Sequence, residues 1–251
     1  MQAPPFFIYV WIGIAILTFF YLLKFKTAPY GRHTTTSWGP MIPNKLGWFI
    51  MELPALSLFI FFFLKQDPSW SLAIGLIFGA WVLHYFNRTI IFPLRINTKG
   101  KKMPLIIAFS AIGFNLANTW IVGSYLGANA SRFDGVWLQS PFFIIGVSLF
   151  ILGFVINQYA DYKLINLRKA GETDYKIPKG FLLDFISCPN LLGEIIEWIG
   201  FFIMTWSLPT FSFAIWTFAN LAPRAIAHHK WYLNKFPNYP KQRKALIPYI
   251  W

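Results

Sequence analysis

The sequence predicts an all-α, polytopic membrane protein, and three observations carry that reading. Hydrophobic residues make up 56% of the 251 and charged ones only 12%, where a soluble domain carries about 25% charged residues. Apolar runs recur from residue 6 to residue 222 with no soluble-looking interval of domain size. The basic residues fall in the short segments between those runs, as positive-inside loops do. A single integral membrane domain, residues 1–251, follows. The formal charge of +13 is accounted for by those loops, and the chain has neither a basic helix nor an aromatic stacking ladder for nucleic acid.

Taken in order, spans are predicted near residues 6–23, 47–64, 70–93, 104–127 and 141–157, each near the ~20 residues that cross a bilayer as helix. No basic cluster precedes the first run. Phe6 to Leu23 is also longer than a signal-peptide core and ends in Lys24 and Lys26, so it reads as a retained first span. The segment Lys24 to Lys45, Thr-rich with Gly31, Gly39, Pro40 and Pro43, reads as a cytoplasmic loop.

Topology divides the last apolar stretch, Trp198 to Pro223. The segment 158–180 carries Lys163, Arg168, Lys169, Lys176 and Lys179, and 224–251 carries Arg224, Lys230, Lys235, Lys241, Arg243 and Lys244. Two such segments belong on the cytoplasmic side, so an even number of crossings separates them. Pro209 marks a hairpin, because it biases Leu208 away from helix. A sixth helix starting near Leu191 and a seventh ending near Tyr232 then give seven spans, with the N-terminus outside and the C-terminus cytoplasmic. In that arrangement every Lys and Arg except Lys65 and Arg132 is cytoplasmic.

Polar side chains inside or beside spans mark the candidate site, since each is costly without a partner or ligand. They crowd between Asn157 and Trp251: Asn157, Asp161, Arg168, Tyr175, Asn190, Glu194, Glu197, Arg224, His228 and Tyr232. Upstream, Glu52 lies about one and a half turns into the second span, where a carboxyl is either protonated or paired. A structural hydrogen bond to a neighbouring helix is the alternative. Tyr85 and Arg88 share a helix face beside His84. Tyr85 suits either a carbonyl partner or an interfacial aromatic belt, and Arg88 either a phosphate or the headgroups. Glu194 and Glu197 start the sixth span after Pro189 and Asn190, with Asn190 a candidate N-cap, opposite a helix bearing Arg224 and His228.

The four histidines show no zinc-type spacing, and haem ligation by His84 and His228 has no second supporting feature. Cys188, the only cysteine, reads as a small buried residue. Glycine-rich dinucleotide and Walker motifs are missing. The residues alone therefore reach a seven-helix membrane protein with a polar, cytoplasm-facing cavity for an anionic, phosphate-bearing cofactor. They do not reach the reaction.

The C-terminal third resembles the steroid 5-alpha-reductase family, and the chain is identified as a member, as a bacterial homologue. The matching residues are Asn157 with Asp161, Leu167-Arg168, Gly171-Glu172, Tyr175 with Ile177-Pro178, Pro189-Asn190, Gly193 through Trp198, Arg224-Ala225, His228 to Leu233, Tyr239-Pro240-Lys241 and Arg243 through Pro248. Weaker matches lie in Tyr30 to Thr34, Glu52-Leu53-Pro54, and His84-Tyr85-Phe86 with Arg88-Thr89.

The resemblance implies NADPH on the cytoplasmic side and hydride transfer to the beta carbon of a lipid enone, in steroids carbon 5 of a 4-ene-3-ketone. It implies that Glu52 and Tyr85 serve the ketone oxygen as catalytic residues. It implies cofactor contacts from Asn157, Asp161, Arg168, Tyr175, Asn190, Glu194, Arg224, His228 and Tyr232, with Arg88, Asn97 and Lys101 as further candidates. On this reading residues 1–150 form mainly the substrate side and 151–251 the main cofactor region. The site opens to the cytoplasm from the bacterial inner membrane or endoplasmic reticulum, with no metal and no obligate protein partner.

Two departures stand out: Met51 where the family commonly has glutamine, and Phe181 where it has a second glycine after Gly180. Enoyl-CoA and polyprenol reductases of the wider family are the alternative. An isoprenylcysteine-type methyltransferase is a rival that Gly193 to Trp198 and the Lys241 to Pro248 tail oppose. A proton-coupled transporter would show inverted repeats, and none is seen.

Overall fold

The computed structural model describes residues 2–251 except 26, 28, 30, 99, 169–171 and 173. Tyr30 and Gly171 of the matched motifs, and Lys26, Lys99 and Lys169 of the basic segments, lie outside the described residues. The helices are α1 (Pro5–Lys24), α2 (Asn44–Leu64), α3 (Leu72–Phe86), α4 (Phe92–Arg95), α5 (Leu105–Ala128), α6 (Pro141–Ile165), α7 (Pro189–Thr205) and α8 (Leu208–Lys235). A π turn, Asn87–Ile91, joins α3 to α4, so Leu72–Arg95 is one 24-residue rod.

Among the described residues five helices are long and apolar enough to cross a membrane: α1, α2, the α3–α4 rod, α5 and α6. They match the five predicted spans to within a few residues, except that α6 continues past residue 157 to Ile165. Its last turns are polar, and a hydropathy reading stops where polarity begins although the helix does not. Large apolar side chains such as Phe6, Leu17, Leu94 and Ile151 stand exposed along these helices, the surface an integral membrane protein presents to lipid.

Residues 189–235 form two helices, α7 of 17 and α8 of 28 residues. The turn between them falls at Trp206, which ends α7 in the left-handed region (φ 41°), and at Ser207, whose hydroxyl accepts from the Thr210 N–H. Pro209 is thus inside the first turn of α8, where its missing N–H costs nothing, and is not the hinge the sequence suggested.

One feature departs from all-α. Strand β1 (Met41–Pro43) pairs antiparallel with β2 (Lys102–Pro104), with Ile42 opposite Met103. Each strand ends in a proline that serves as the N-cap of the next helix, so the ribbon ties together the starts of α2 and α5. Those helices then run parallel: Asn115 donates from Nδ2 to the Met51 carbonyl at 2.8 Å, and Gly123 and Gly127 meet the backbone of Phe59 and Phe63.

Glycine also sets the tightest helix pair. Gly146 and Gly153 of α6 are one heptad apart, as are Gly193 and Gly200 of α7, and they face each other in antiparallel order. A Cβ on Gly146, Gly153 or Gly200 would land on the backbone of Met204, Glu197 or Phe150, and one on Gly193 would lie 2.5 Å from the Asn157 nitrogen. Such close approach is how helices associate where lipid removes the hydrophobic drive between them. It places the polar ends of α6 and α7 side by side.

An aromatic plug fills the centre. Trp81 stacks on Phe59 at 4.4 Å and meets Trp198 at 5.2 Å, and Trp198 meets Phe213 at 4.5 Å. Trp81 Nε1 donates to the Ala55 carbonyl at 3.0 Å, which satisfies the indole at the centre of the plug.

The seam yields a stability prediction. Gly193→Ala should cost about 1–3 kcal/mol through overpacking, or prevent folding, whereas Gly79→Ala, with open space around its Cβ, should leave thermal stability in detergent unchanged. Equal stabilities for the two variants would contradict the close-contact account.

Candidate active site

Pro93 shapes the first part of the site. A proline ring in a helix clashes with the carbonyl four residues back, here Thr89, and removes an N–H. The chain answers with the π turn Asn87–Ile91, in which the Phe92 N–H bonds the Asn87 carbonyl, and such turns concentrate at functional sites. Arg88 sits in that turn. Its Nη1 lies 3.5 Å from Asp161 Oδ2 on α6 and its Nη2 3.7 Å from Glu194 Oε2 on α7.

Amides complete this hub. Asn190 Nδ2 donates to Asp161 Oδ1 at 2.9 Å, and Asn157 Nδ2 donates to the Asn190 carbonyl at 2.9 Å and to Glu194 Oε2 at 3.3 Å. Asn157 and Asp161 are buried and Arg88 nearly so. The Arg88 guanidinium also lies over the rings of Trp48 (4.9 Å) and Phe92 (4.7 Å).

On one side of the hub is an apolar cavity of about 540 Å³. Glu52 and Tyr85 both line it, with Arg88 and Glu194 at its polar part and Met51, Ile107, Phe114 and Phe213 among its apolar walls. Tyr85 is buried, 5.1 Å from the Trp81 ring and 5.7 Å from Trp198. It is a fixture of the core rather than an aromatic-belt residue. Met51 puts a thioether where an amide was expected, so this wall is less polar than the family pattern implies.

On the other side are two polar clefts of about 260 and 240 Å³ that share Arg32, Phe92, Ile96, Asn97, Arg168 and Tyr175. Lys101, Arg224 and His228 line the first, Asp161 and Tyr232 the second. Cations surround Tyr175: Lys101 Nζ donates to its hydroxyl at 2.9 Å, and the Arg168 and Arg32 guanidinium carbons lie 5.5 and 5.8 Å from its ring centre. Trp48 lines both the cavity and the first cleft and so forms the wall between them, with the Arg88 guanidinium over its ring.

Arg32 was not singled out by sequence reasoning. Gly31, at φ +64°, lets the loop turn so that Arg32 Nη2 donates to the Tyr232 hydroxyl at 3.2 Å while the guanidinium covers Trp231 and Tyr232 at 4.7 and 4.5 Å. Its Nη1 is buried with no hydrogen bond among the described residues. Beside it His33 Nε2 meets His228 Nδ1 at 3.1 Å. Burial first, then Arg224 and Arg32, holds the His33 imidazole down at about 4, from 6.5.

The remaining expectations sort as follows. Asn190 is not an N-cap; Cys188 holds that position without a side-chain cap, because Pro189 starts α7. Glu194 and Glu197 therefore lie beyond the first turn and serve separate partners, neither of them Arg224 or His228. Glu194 joins the hub, and Glu197 Oε1 pairs with His84 Nδ1 at 2.7 Å in the core. Arg88 is ion-paired rather than snorkelling. Phe181, the departure from glycine, adopts φ 56° directly after Gly180 at φ 88°. A side chain there is strained, and its ring packs on Tyr159 at 4.9 Å.

The C-terminal tail closes the polar side. Arg243 Nη1 donates to the Pro178 carbonyl at 2.9 Å, Ser187 and Lys244 exchange backbone hydrogen bonds with the tail and the 185–187 segment, and Ser187 Oγ bonds His229 Nδ1 and the Tyr239 hydroxyl, each at 2.7 Å. The Tyr239 ring stacks on Tyr232 at 5.1 Å, which carries the restraint to Arg32.

An apolar cavity with an acid and a phenol in its wall lies beside a buried ion-pair hub and cation-lined clefts, in a helical protein with five helices long and apolar enough to cross a membrane among the described residues. Residues 101–251 match the family model described as 3-oxo-5-alpha-steroid 4-dehydrogenase. The chain is 42% identical over 233 residues to "Steroid 5-alpha-reductase DET2" of Gossypium hirsutum, covering 91% of this chain and 90% of the relative. It is 40% identical over 228 residues to "3-oxo-5-alpha-steroid 4-dehydrogenase 2" of Rattus norvegicus, covering 90% and 89%. The protein belongs to the steroid 5-alpha-reductase family, oxidoreductases acting on a CH–CH group. These relatives come from a plant and a mammal and give a bacterial source no support.

Two predictions follow from the geometry. Arg88→Ala strands the buried Asp161 and the half-buried Glu194 and should cost about 3–5 kcal/mol, seen as a much lower inactivation temperature than that of Arg168→Ala; similar temperatures would remove Arg88 from the centre of the hub. For His33, the unfolded imidazole takes up its proton near 6.5 and the folded one near 4, so its contribution is complete above pH 6.5 and lost as pH falls toward 4. His33→Gln should flatten that acid limb of thermal stability, and an unchanged limb would refute the assignment.

Proposed function

We propose that the protein reduces the carbon–carbon double bond of a 4-ene-3-ketosteroid, or a similar lipid enone, with NADPH, giving the 5-alpha-reduced 3-oxosteroid. The observation that carries this reading is that Glu52 and Tyr85 line one apolar cavity that shares Trp48 with a cation-lined cleft, the Arg88 guanidinium lying over the Trp48 ring.

The residues fit NADPH. Arg32, Lys101, Arg168 and Arg224 supply charge for the diphosphate and 2'-phosphate, with Arg fit for bidentate contact, and the unbonded Nη1 of Arg32 is a donor in want of an acceptor. Asn97, Tyr175, His228 and Tyr232 line the same clefts. Asp161, Glu194, Asn157 and Asn190 offer acceptors and amides for ribose hydroxyls and the nicotinamide carboxamide. Bound there, NADPH would supply the hydride that reaches the beta carbon of the enone.

The chain's own part is electrostatic. As the double bond is reduced, negative charge develops on the ketone oxygen, and donors aimed at that oxygen stabilise the transition state more than the ground state. The Tyr85 hydroxyl is one such donor. Glu52 is a second when protonated, and otherwise orients Tyr85. The aromatic plug of Trp81, Trp198 and Phe213 keeps water from the oxygen, which strengthens both interactions.

Seven spans, with the N-terminus outside and the C-terminus and clefts cytoplasmic, remain part of the proposal. The antiparallel α6–α7 seam and the Ser207-capped start of α8 support it, as does the gathering of basic residues on the cleft side. Residues 1–150 hold Glu52, Tyr85 and most of the cavity wall, and 151–251 most of the cofactor contacts. The names of the relatives favour a steroid over enoyl-CoA or polyprenol, and a cytoplasm-facing site in the endoplasmic reticulum or another bilayer serves either.

The test is NADPH oxidation by the detergent-purified protein with progesterone, with mass spectrometry of the product. A product heavier by two hydrogens is expected. Glu52→Gln and Tyr85→Phe should lower kcat by about 10²–10⁴ with NADPH affinity little changed, whereas Arg168→Ala and Arg224→Ala should weaken NADPH binding. Equal loss of both quantities in all four variants would overturn the division of roles.

A further inference from the structure

A buried indole N–H ordinarily finds an acceptor, since leaving it unpaired costs about 1–3 kcal/mol. This chain observes the rule elsewhere: Trp81 Nε1 donates to the Ala55 carbonyl and Trp137 Nε1 to the Met204 carbonyl, each at 3.0 Å. Trp11 and Trp216 break it. Both Nε1 atoms are buried with no hydrogen bond. Both residues line the apolar cavity, and no other residue with such an unbonded buried side-chain atom, among the described residues, does so.

The two rings are held in place as a pair. Their centroids lie 4.9 Å apart, Phe114 packs on them at 5.8 and 5.1 Å, and Ala15 and Ala219 complete the buried cluster around Trp216. They come from α1 and α8, whereas Glu52 and Tyr85 come from α2 and α3, so the cavity has donors in two separate parts of its wall. An indole N–H can only donate, so what completes this pair is an acceptor oxygen.

We propose that Trp11 and Trp216 form a second polar subsite of the substrate cavity, which receives an acceptor oxygen carried by the ring system away from the enone ketone. The proposal rests on the enone-reductase reading and narrows its substrate to oxygen-bearing 4-ene-3-ketosteroids, as against bare hydrocarbon enones. Trp11 and Trp216 are specificity residues in this assignment and take no part in the reaction at the double bond.

The experiment compares androst-4-ene-3,17-dione with androst-4-en-3-one, which lacks the second oxygen, in the wild type, Trp11→Phe and Trp216→Phe. Phenylalanine keeps an aromatic ring and deletes the donor. The wild type should prefer the dione in kcat/KM. Each variant should lose roughly 2- to 13-fold on the dione, the worth of one net hydrogen bond, chiefly through KM, and keep its rate on the deoxygenated analogue. An equal fall on both steroids would show packing alone and overturn the subsite, as would no change on either. A wild type that reduces both steroids with equal kcat/KM overturns it even if a variant does not fold. If the wild type reduces neither steroid, the enone-reductase reading fails and the subsite falls with it.

Discussion

Arg88 is the charge on which the arrangement depends. A guanidinium withdrawn from water needs opposite charge and hydrogen bonds around it, and it draws them from two other helices. Asp161 reaches it from α6 and Glu194 from α7, and both carboxylates are braced by Asn190 and Asn157. The three elements can meet only because glycine removes the side chains between α6 and α7, and because the π turn around Pro93 displaces Arg88 from the regular path of its helix. Backbone irregularity, close packing and buried charge are therefore one device.

That device divides the interior into two chemical environments a side chain apart. Arg88 and Trp48 face the apolar cavity on one side, and Trp48 faces one of the clefts beside Tyr175 on the other. On the proposed function, the lipophilic substrate and the anionic cofactor would approach each other there without sharing a solvent. The tail from Tyr239 to Trp251 bears on the same function, because Tyr239 stacks on Tyr232, which accepts from Arg32. Tyr239, one of the matched residues at the C-terminus, thus braces Tyr232 and through it Arg32.

Much of this was legible in the sequence because lipid imposes long, uninterrupted apolar runs, and polar residues inside them stand out. Glu52, Tyr85, Arg88, Asp161 and Glu194 were visible for that reason. What escaped had a weaker signature. Strands β1 and β2 are three residues each, too short for any period. Pro93 did announce a helix irregularity, and the heptad spacing of Gly146 with Gly153 and of Gly193 with Gly200 was present, but each gains meaning only from the partner backbone. Arg32 lies in a Thr-rich loop where a basic residue usually meets solvent. Trp48, one turn before Glu52, is one of 12 tryptophans and carries no sequence signal of its own. Glu194 and Glu197 are three residues apart and seemed a pair, yet different neighbouring helices claim them.

The central claim is that hydride from NADPH reaches the carbon of the enone beta to a ketone held by Glu52 and Tyr85. The most direct measurement uses NADPH carrying deuterium in both positions at nicotinamide C4, with progesterone as substrate, and locates the label in the product by mass spectrometry and NMR. The account predicts one deuterium, at carbon 5 on the alpha face, and a second, unlabelled hydrogen at carbon 4 from solvent. A reduced product without deuterium, or with it at carbon 4, would contradict the account.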